Sequence, residues 1–577
     1  MATQGRLALF FDNFESATHH TLSKFKAFID KYPNNQYMFF ALETITTESI
    51  DQSAEMLCPE IDRIYIHSLG KHEIRNLANN MLTSAFPATN NIVDKTVLCI
   101  RNINLPTTPF VVSLVLSICK ENEDFIPINE ANVIEAFLET LLEKNSKDSA
   151  KTDVYDYKIQ EDFLCYLIAK MREKNQYWFS QQEFETHLQT YHSNLGWTIR
   201  DTHFDTLFFK KGILYNIGDR VAFRYSCVVY YYTAKLALKS AEFIDEILED
   251  DNYLMYPYEL NYITGIDRGR KDIYEKINKE YESLCEEYRP HLEVLNHYGI
   301  QTDFSVKTDN LKNALPKKLS IEDSDRLTGN HQAPHAEDSV KLEKAANHLE
   351  SVDAKAKFLP TLSIYAMLLK NCELYDVSIK EKMLHNFAEG LCIALAMLIE
   401  SFNNNRPALL QHIQEVCTDN PQEEMPSPEQ IARFTEDTIK IVLPIVIENI
   451  AFEQAGSAKL KSLILPMVQD CKVKGGFSQF LMLFLYCDLR ISGCLNELSS
   501  FVKRTNSKDI LTITLFKTLY YYQVQYFPEQ MNTVLEGIIA DINMKLQDFD
   551  QRTKGIVKSR IIKELRSKRK IRPKVEM

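Results

Sequence analysis

Leu7-Ala8-Leu9-Phe10-Phe11-Asp12-Asn13-Phe14-Glu15 is the stretch from which the fold is read. Five apolar residues in a row suit a strand buried on both faces, as in a parallel sheet. Asp12 then stands at the strand's carboxyl end, where open α/β sheets bind their ligands. A carboxylate there can hold Mg²⁺, and a second acid a few residues on, Glu15, can orient an attacking water. Working outward, residues 17–32 carry Leu22, Phe25, Phe28 and Ile29 at helical spacing. Tyr37-Met38-Phe39-Phe40-Ala41-Leu42 reads as a second strand and Ile64-Tyr65-Ile66 as a third, followed by a helix from about Lys71 to Leu82. Strand, helix, strand, loop, strand, helix is the second half of a doubly wound domain.

The motif that should precede such a half is G-x-x-x-x-G-K-[ST], whose loop cradles phosphate and whose Lys neutralises it. It occurs nowhere in the 577 residues. The expectation is a P-loop-type α/β domain that is incomplete at its amino end over residues 1–102, with Leu7 to Glu15 as its Walker B element. Mg and ATP or ADP are then expected only if a P-loop is supplied elsewhere, and the chain alone is not expected to hydrolyse nucleotide.

Composition bounds the remainder. The length allows several domains, and 45% hydrophobic residues can build substantial cores. Only 16 Gly and 19 Pro, with long helical periodicities after residue 105, predict a mostly α protein. The 12 Cys are scattered, with no CxxC or other metal-ligand spacing, and read as small core residues in a reducing compartment. Mainly apolar runs such as residues 110–119 and 390–399 are too short to span a bilayer, so no membrane contact and a cytoplasmic location are expected. The net charge of −13 conceals an asymmetry: residues 551–577 carry 11 bases and two acids. This basic tail could meet nucleic acid or an acidic partner, but it lacks the interleaved aromatics that stack on bases.

Residues 103–145 read as a small helical domain opened by Leu105-Pro106-Thr107-Thr108-Pro109-Phe110, Pro being favoured in a first helical turn. Residues 146–240 hold helices at 157–172, 181–191 and 201–210. A hairpin follows, 211–215 with 220–225 around Asn216-Ile217-Gly218-Asp219. Helices closed by a two-stranded wing describe a winged-helix domain. A helical extension spans 241–300, and 301–340 is polar and poor in large apolar residues, as a linker is. Residues 341–550 return to amphipathic helices with short breaks at 403–406, 418–428 and 472–477, a solenoid-like array without a fixed period. Thr328-Gly329-Asn330-His331 is similar to the GNH[DE] element of metallophosphoesterases, but Gln332 stands where the acid is needed.

The order of the strand ending in Asp12, the Pro-containing helix start and Val221-Ala222-Phe223-Arg224-Tyr225-Ser226-Cys227-Val228-Val229-Tyr230-Tyr231-Tyr232-Thr233-Ala234 resembles the STAND class of signal-transduction NTPases. In its NACHT-like members the last element reads F-x-H-x-x-x-x-E-Y-F-x-A; Phe223, Tyr231 and Ala234 match, and Tyr232 keeps an aromatic. The resemblance covers roughly residues 7–240. It implies Asp12 as Mg²⁺ ligand, Glu15 as the acid assisting water, Pro109 near the adenine, and Tyr225 where a His would contact phosphate. It departs from this chain in the P-loop, in the cation expected within Phe40-Ala41-Leu42-Glu43-Thr44, and at Tyr225, whose phenol donates a hydrogen bond but carries no positive charge.

The resulting expectation is a mostly α protein: a partial P-loop-type α/β domain, a winged-helix domain and an α-helical repeat-like region. Its function would be that of a regulatory and sensor module of a STAND-type switch in bacterial antiphage defence. A protein ligand at residues 341–546 would drive homo-oligomerisation, together with an effector or a P-loop-bearing partner. A degenerate scaffold that binds a partner without nucleotide, and a winged-helix nucleic-acid binder, are the alternatives.

Overall fold

The structure, a computed structural model, describes residues 7–11, 19–39, 69–81, 107–121, 129–142, 157–195, 204–217, 220–297, 354–419, 438–469, 477–523, 529–547 and 554–568, with isolated positions in 92–100, 427–436 and at 527. The chain divides into two compact units, residues 1–67 with 335–347 and residues 68–334 with 348–577.

In the first unit, β1 (Ala8–Phe11) pairs in parallel with β2 (Gln36–Phe39), joined through α1 (His19–Lys31). Parallel neighbours need such a crossover. Asn35 fixes the start of the pair: its side-chain oxygen accepts the Leu7 N–H at 3.1 Å, while the Gln36 N–H donates to the Leu7 carbonyl at 3.0 Å. Phe25 of α1 meets Phe11 edge-on at 4.6 Å, so the helix covers that face of the strand. The opposite face differs from the expectation of burial on both sides. Phe10 is 63% exposed, and its register partner Met38 is 41% exposed. One crossover helix covers only one face. Asp12, Glu15 and the third strand at 64–66 lie outside the described residues.

The second unit is mostly helical. It begins with α2 (Lys71–Met81), α3 (Pro109–Glu121) and α4 (Glu130–Leu141), packed in sequence. Then come α5 (Tyr157–Glu173), β3 (Trp178–Ser180), α6 (Gln181–Asn194), α7 (Phe204–Lys210), β4 (Leu214–Ile217) and β5 (Arg220–Phe223). The hairpin β4–β5 forms, and β3 adds an antiparallel third strand in the order β3-β5-β4. Strand β3 carries no alternation long enough to read from sequence, yet its end is marked: Ser180 and Glu183 form a reciprocal capping box that starts α6. Phe163, Tyr191 and Phe208 fill the space between these helices, with ring centroids 5.0 and 5.5 Å from Phe163.

Helix α8 (Ser226–Lys239) buries nearly every side chain from Ser226 to Ala234, because α4, α5 and the next helix but one all pack on it. After it come α9 (Ala241–Leu248), α10 (Pro257–Ile266), α11 (Lys271–Tyr288) and α12 (Leu292–His297). Beyond residue 353 lie α13 (Ala354–Lys370), α14 (Val377–Asp419), α15 (Leu443–Ala455), α16 (Lys461–Gln469), α17 (Phe477–Asp488), α18 (Cys494–Arg504), α19 (Lys508–Gln523), α20 (Asn532–Leu546) and α21 (Lys554–Lys568). Most pack on the helix before or after them, as in a stacked array.

Three features depart from the sequence reading. Helix α14 runs straight through the expected break at 403–406; Pro407 removes one ladder donor but does not stop the helix. Its Val377–Asn404 portion is long and apolar enough to cross a membrane by length and composition, longer than any run read from the sequence, and 61% of its most apolar window is buried inside the protein. The expected linker does not separate two cores either. Tyr253 and Thr361 hydroxyls bond at 3.0 Å, Tyr365 donates to Asn278 at 3.0 Å, and Tyr281 stacks on Tyr365 at 4.2 Å, joining α10–α11 to α13–α14 across it. The basic terminus, finally, is partly a docked helix: Lys558 of α21 pairs with Asp541 at 2.5 Å and Arg566 with Glu536 at 2.8 Å on α20.

Candidate functional site

Of the four residues singled out from sequence, Pro109 and Tyr225 are described, and Phe110, the neighbour of Pro109, is the residue that meets Tyr225. Helix α3 starts at the exposed Pro109, with Thr108 Oγ1 accepting the Val111 N–H at 3.3 Å to cap its first turn. The next residue, Phe110, stacks on Tyr225 with ring centroids 4.2 Å apart and planes at 26°. Phe137 of α4 closes the group edge-on, 6.0 Å from Phe110 and 6.5 Å from Tyr225. Tyr225 is placed by the hairpin: it follows β5, adopts extended backbone (φ −128, ψ 125) and is the N-cap of α8 without capping it through its side chain. Asp12 and Glu15, outside the described residues, take no part in this description.

The surroundings are polar at one edge. Arg224, exposed, holds its guanidinium 5.8 Å from the Tyr225 ring. Behind the helix start, Thr107 is 5% exposed and its hydroxyl finds no hydrogen-bond partner, although its carbonyl accepts the Leu69 N–H at 2.8 Å. The hairpin is anchored to α4 by the Lys211 ammonium, which donates to the Leu141 carbonyl at 2.7 Å. Such an arrangement offers a flat aromatic surface, a phenol that donates, a cation, and the positive end of α3. Among the described residues no cluster of His, Cys, Asp or Glu could hold a metal ion.

Below the site, α8 carries an uneven set of tyrosines. Tyr231 and Tyr232 are fully buried and neither hydroxyl has a hydrogen-bond partner. Burial pushes both phenols well above their ordinary pKa, with Glu135 beside Tyr231 and Glu161 beside Tyr232 adding to it. Lys235 answers those acids, pairing with Glu161 and standing 4.0 Å from Glu135. Of the site's members, Phe110 was legible beside Pro109. Thr107 and Phe137 carried no signal of their own, since only packing brings them near Tyr225.

A family model described as Novel STAND NTPase 4 matches residues 177–233, the stretch from β3 through the hairpin and Tyr225 into α8. The match supports a STAND-type NTPase module. None of the curated proteins matches the chain.

Proposed function

We propose that this chain is the regulatory and sensing module of a NACHT-like STAND switch, acting in the bacterial cytoplasm in antiphage defence. The single observation that carries the reading is the family match over residues 177–233, whose described residues include the three strands β3, β4 and β5 and the start of α8. The helix–strand–helix–helix–hairpin order of residues 157–223, with its sheet order β3-β5-β4, supports reading this stretch as a winged-helix domain. The joined core of α10–α11 with α13–α14 supplies a path between it and the array at 341–546. There a protein ligand would bind, and binding would favour homo-oligomerisation and engagement of an effector.

Nucleotide enters this scheme only with a P-loop supplied elsewhere. Asp12 would then hold Mg²⁺ and Glu15 would orient water. Pro109 would lie against the adenine, and the Tyr225 phenol would donate to phosphate. The absence of G-x-x-x-x-G-K-[ST] from these 577 residues favours a second reading, an interaction scaffold that needs no nucleotide.

Calorimetry on the full chain separates the readings of the nucleotide site. No micromolar ATP or ADP binding is expected from the chain by itself; micromolar affinity lost in Asp12→Ala would show an unconventional phosphate site. The sensing role is tested by purifying the full chain from phage-challenged cells and mapping cross-links to captured phage protein. Cross-links within 341–546 are expected. Capture that maps elsewhere, or no effect of the chain on phage growth, would overturn the assignment.

A further inference from the structure

Helix α17 ends at Asp488 and α18 begins at Cys494, and the turn between them is unusually tight. Arg490 (φ 51) and Gly493 (φ 91) both adopt left-handed backbone, which reverses the chain within a few residues. The Arg490 N–H donates to the Cys487 carbonyl at 2.9 Å, the Ile491 N–H to the Tyr486 carbonyl at 3.4 Å, and the Cys494 N–H to the Ile491 carbonyl at 3.0 Å. The last turn of α17 is thereby laid on the first residue of α18. Cys487 Sγ points at the Cys494 carbonyl at 4.0 Å, which brings the two cysteines together across the turn.

Their environments are unequal. Burial, with the Cys494 thiol next, pushes the Cys487 thiol well above its ordinary pKa. The neighbouring Cys487 thiol and the backbone N–H groups of Leu495 and Cys494 at the start of α18 hold the Cys494 thiol below its ordinary value. Cys494 therefore ionises first and is the better nucleophile, with Cys487 beside it to resolve.

We infer that Cys487 and Cys494 form a reversible dithiol/disulfide pair that exchanges with low-molecular-weight disulfides. In the first step the Cys494 thiolate attacks one sulfur of the small disulfide, whose S–S bond breaks and whose other sulfur leaves as a thiolate. In the second, Cys487 loses its proton to solvent and attacks the Cys494 sulfur, expelling the second small thiolate. Two protein thiols are oxidised, one small disulfide is reduced to two thiols, and the two protons released by the protein are taken up by them. Both sulfurs are buried, so exchange proceeds through local opening of the turn at 489–493. Closing so short a loop adds somewhat less chain-entropy stabilisation than a longer one would. Its effect is local: the bond sits next to Asp488, which accepts from Lys517 at 3.0 Å and Tyr521 at 2.6 Å within the array.

The test equilibrates the full chain against a series of reduced-to-oxidised glutathione ratios, blocks free thiols after acid quenching, and digests with trypsin. Cleavage after Arg490 places the two cysteines on separate peptides, 475–490 and 491–503, so the disulfide appears as their cross-link. The linked pair is expected to rise in one two-electron transition and to vanish with dithiothreitol. In Cys487→Ser, a glutathione adduct should be trapped on Cys494. Both thiols remaining alkylated in the wild-type chain even in oxidised glutathione alone would overturn the inference, whatever the variant does.

Discussion

At the residue scale, the buried hydroxyl of Tyr232 is the clearest local misfit. The NACHT-like pattern that this stretch resembles has Phe at this place, and the extra oxygen here is buried with no partner. An unsatisfied buried hydroxyl costs about 1–3 kcal/mol, so Tyr232→Phe should stabilise the protein by about 1 kcal/mol in urea denaturation. A loss of stability would mean the oxygen is bonded in solution. Glu259 is a second misfit: it is 5% exposed, and burial pushes its carboxyl up from 4.5 to about 8. The folded state thus keeps a proton that the unfolded chain sheds. Stability present below pH 4.5 is lost progressively as pH rises toward 8, by about 1.4 kcal/mol per pH unit for this group, and levels off above it. Glu259→Gln should remove that slope and raise stability most at pH 8; an unchanged pH profile would place the carboxylate in water.

Helix contacts decide matters one level up. Gly390 of α14 lies where a Cβ would meet the Tyr281 hydroxyl of α11 at 1.8 Å, and that hydroxyl is held by the Asn386 carbonyl at 2.9 Å. Gly390→Ala should destabilise by about 1–3 kcal/mol through overpacking, read as a lower denaturation midpoint. A neutral effect would show that Tyr281 swings aside at no cost. The elements themselves were unevenly legible. Helix α6 was read from its own residues 181–191, and β1 and β2 through their apolar runs; the Ser180–Glu183 capping box that starts α6 came only from the structure. The three-residue β3 was not read, because so short a strand is defined by its partner β5 rather than by its own pattern.

Across the whole molecule, residues 301–340 divide the sequence, but α11 packs on α13 and α14 as part of one core. A protease site inserted near residue 320 and cut in the full chain should therefore leave two fragments that co-elute in native size-exclusion chromatography. Separation of the fragments without denaturant would show that the hydrogen bonds of Tyr253, Asn278 and Tyr281 to the later helices do not persist. Charge is also distributed by the fold. Lys558 and Arg566 face acids of α20, so the outward positive field of the terminus falls to other bases such as Arg560 and Lys563.

What the sequence determined alone was local: helix and strand periods, the hairpin around Gly218, the basic terminus, and the aromatic run at 230–232 that resembles a STAND motif. Each is written within one or two turns of chain, where side-chain spacing maps directly onto one face. Only tertiary structure decided that Phe110 would stack on Tyr225, that Cys487 would meet Cys494 across a left-handed turn, and that Lys517 would sit between Glu448 and Asp488. Those meetings depend on how helices rotate and cross, and the period of a helix says which residues share its face but not which neighbour that face will find.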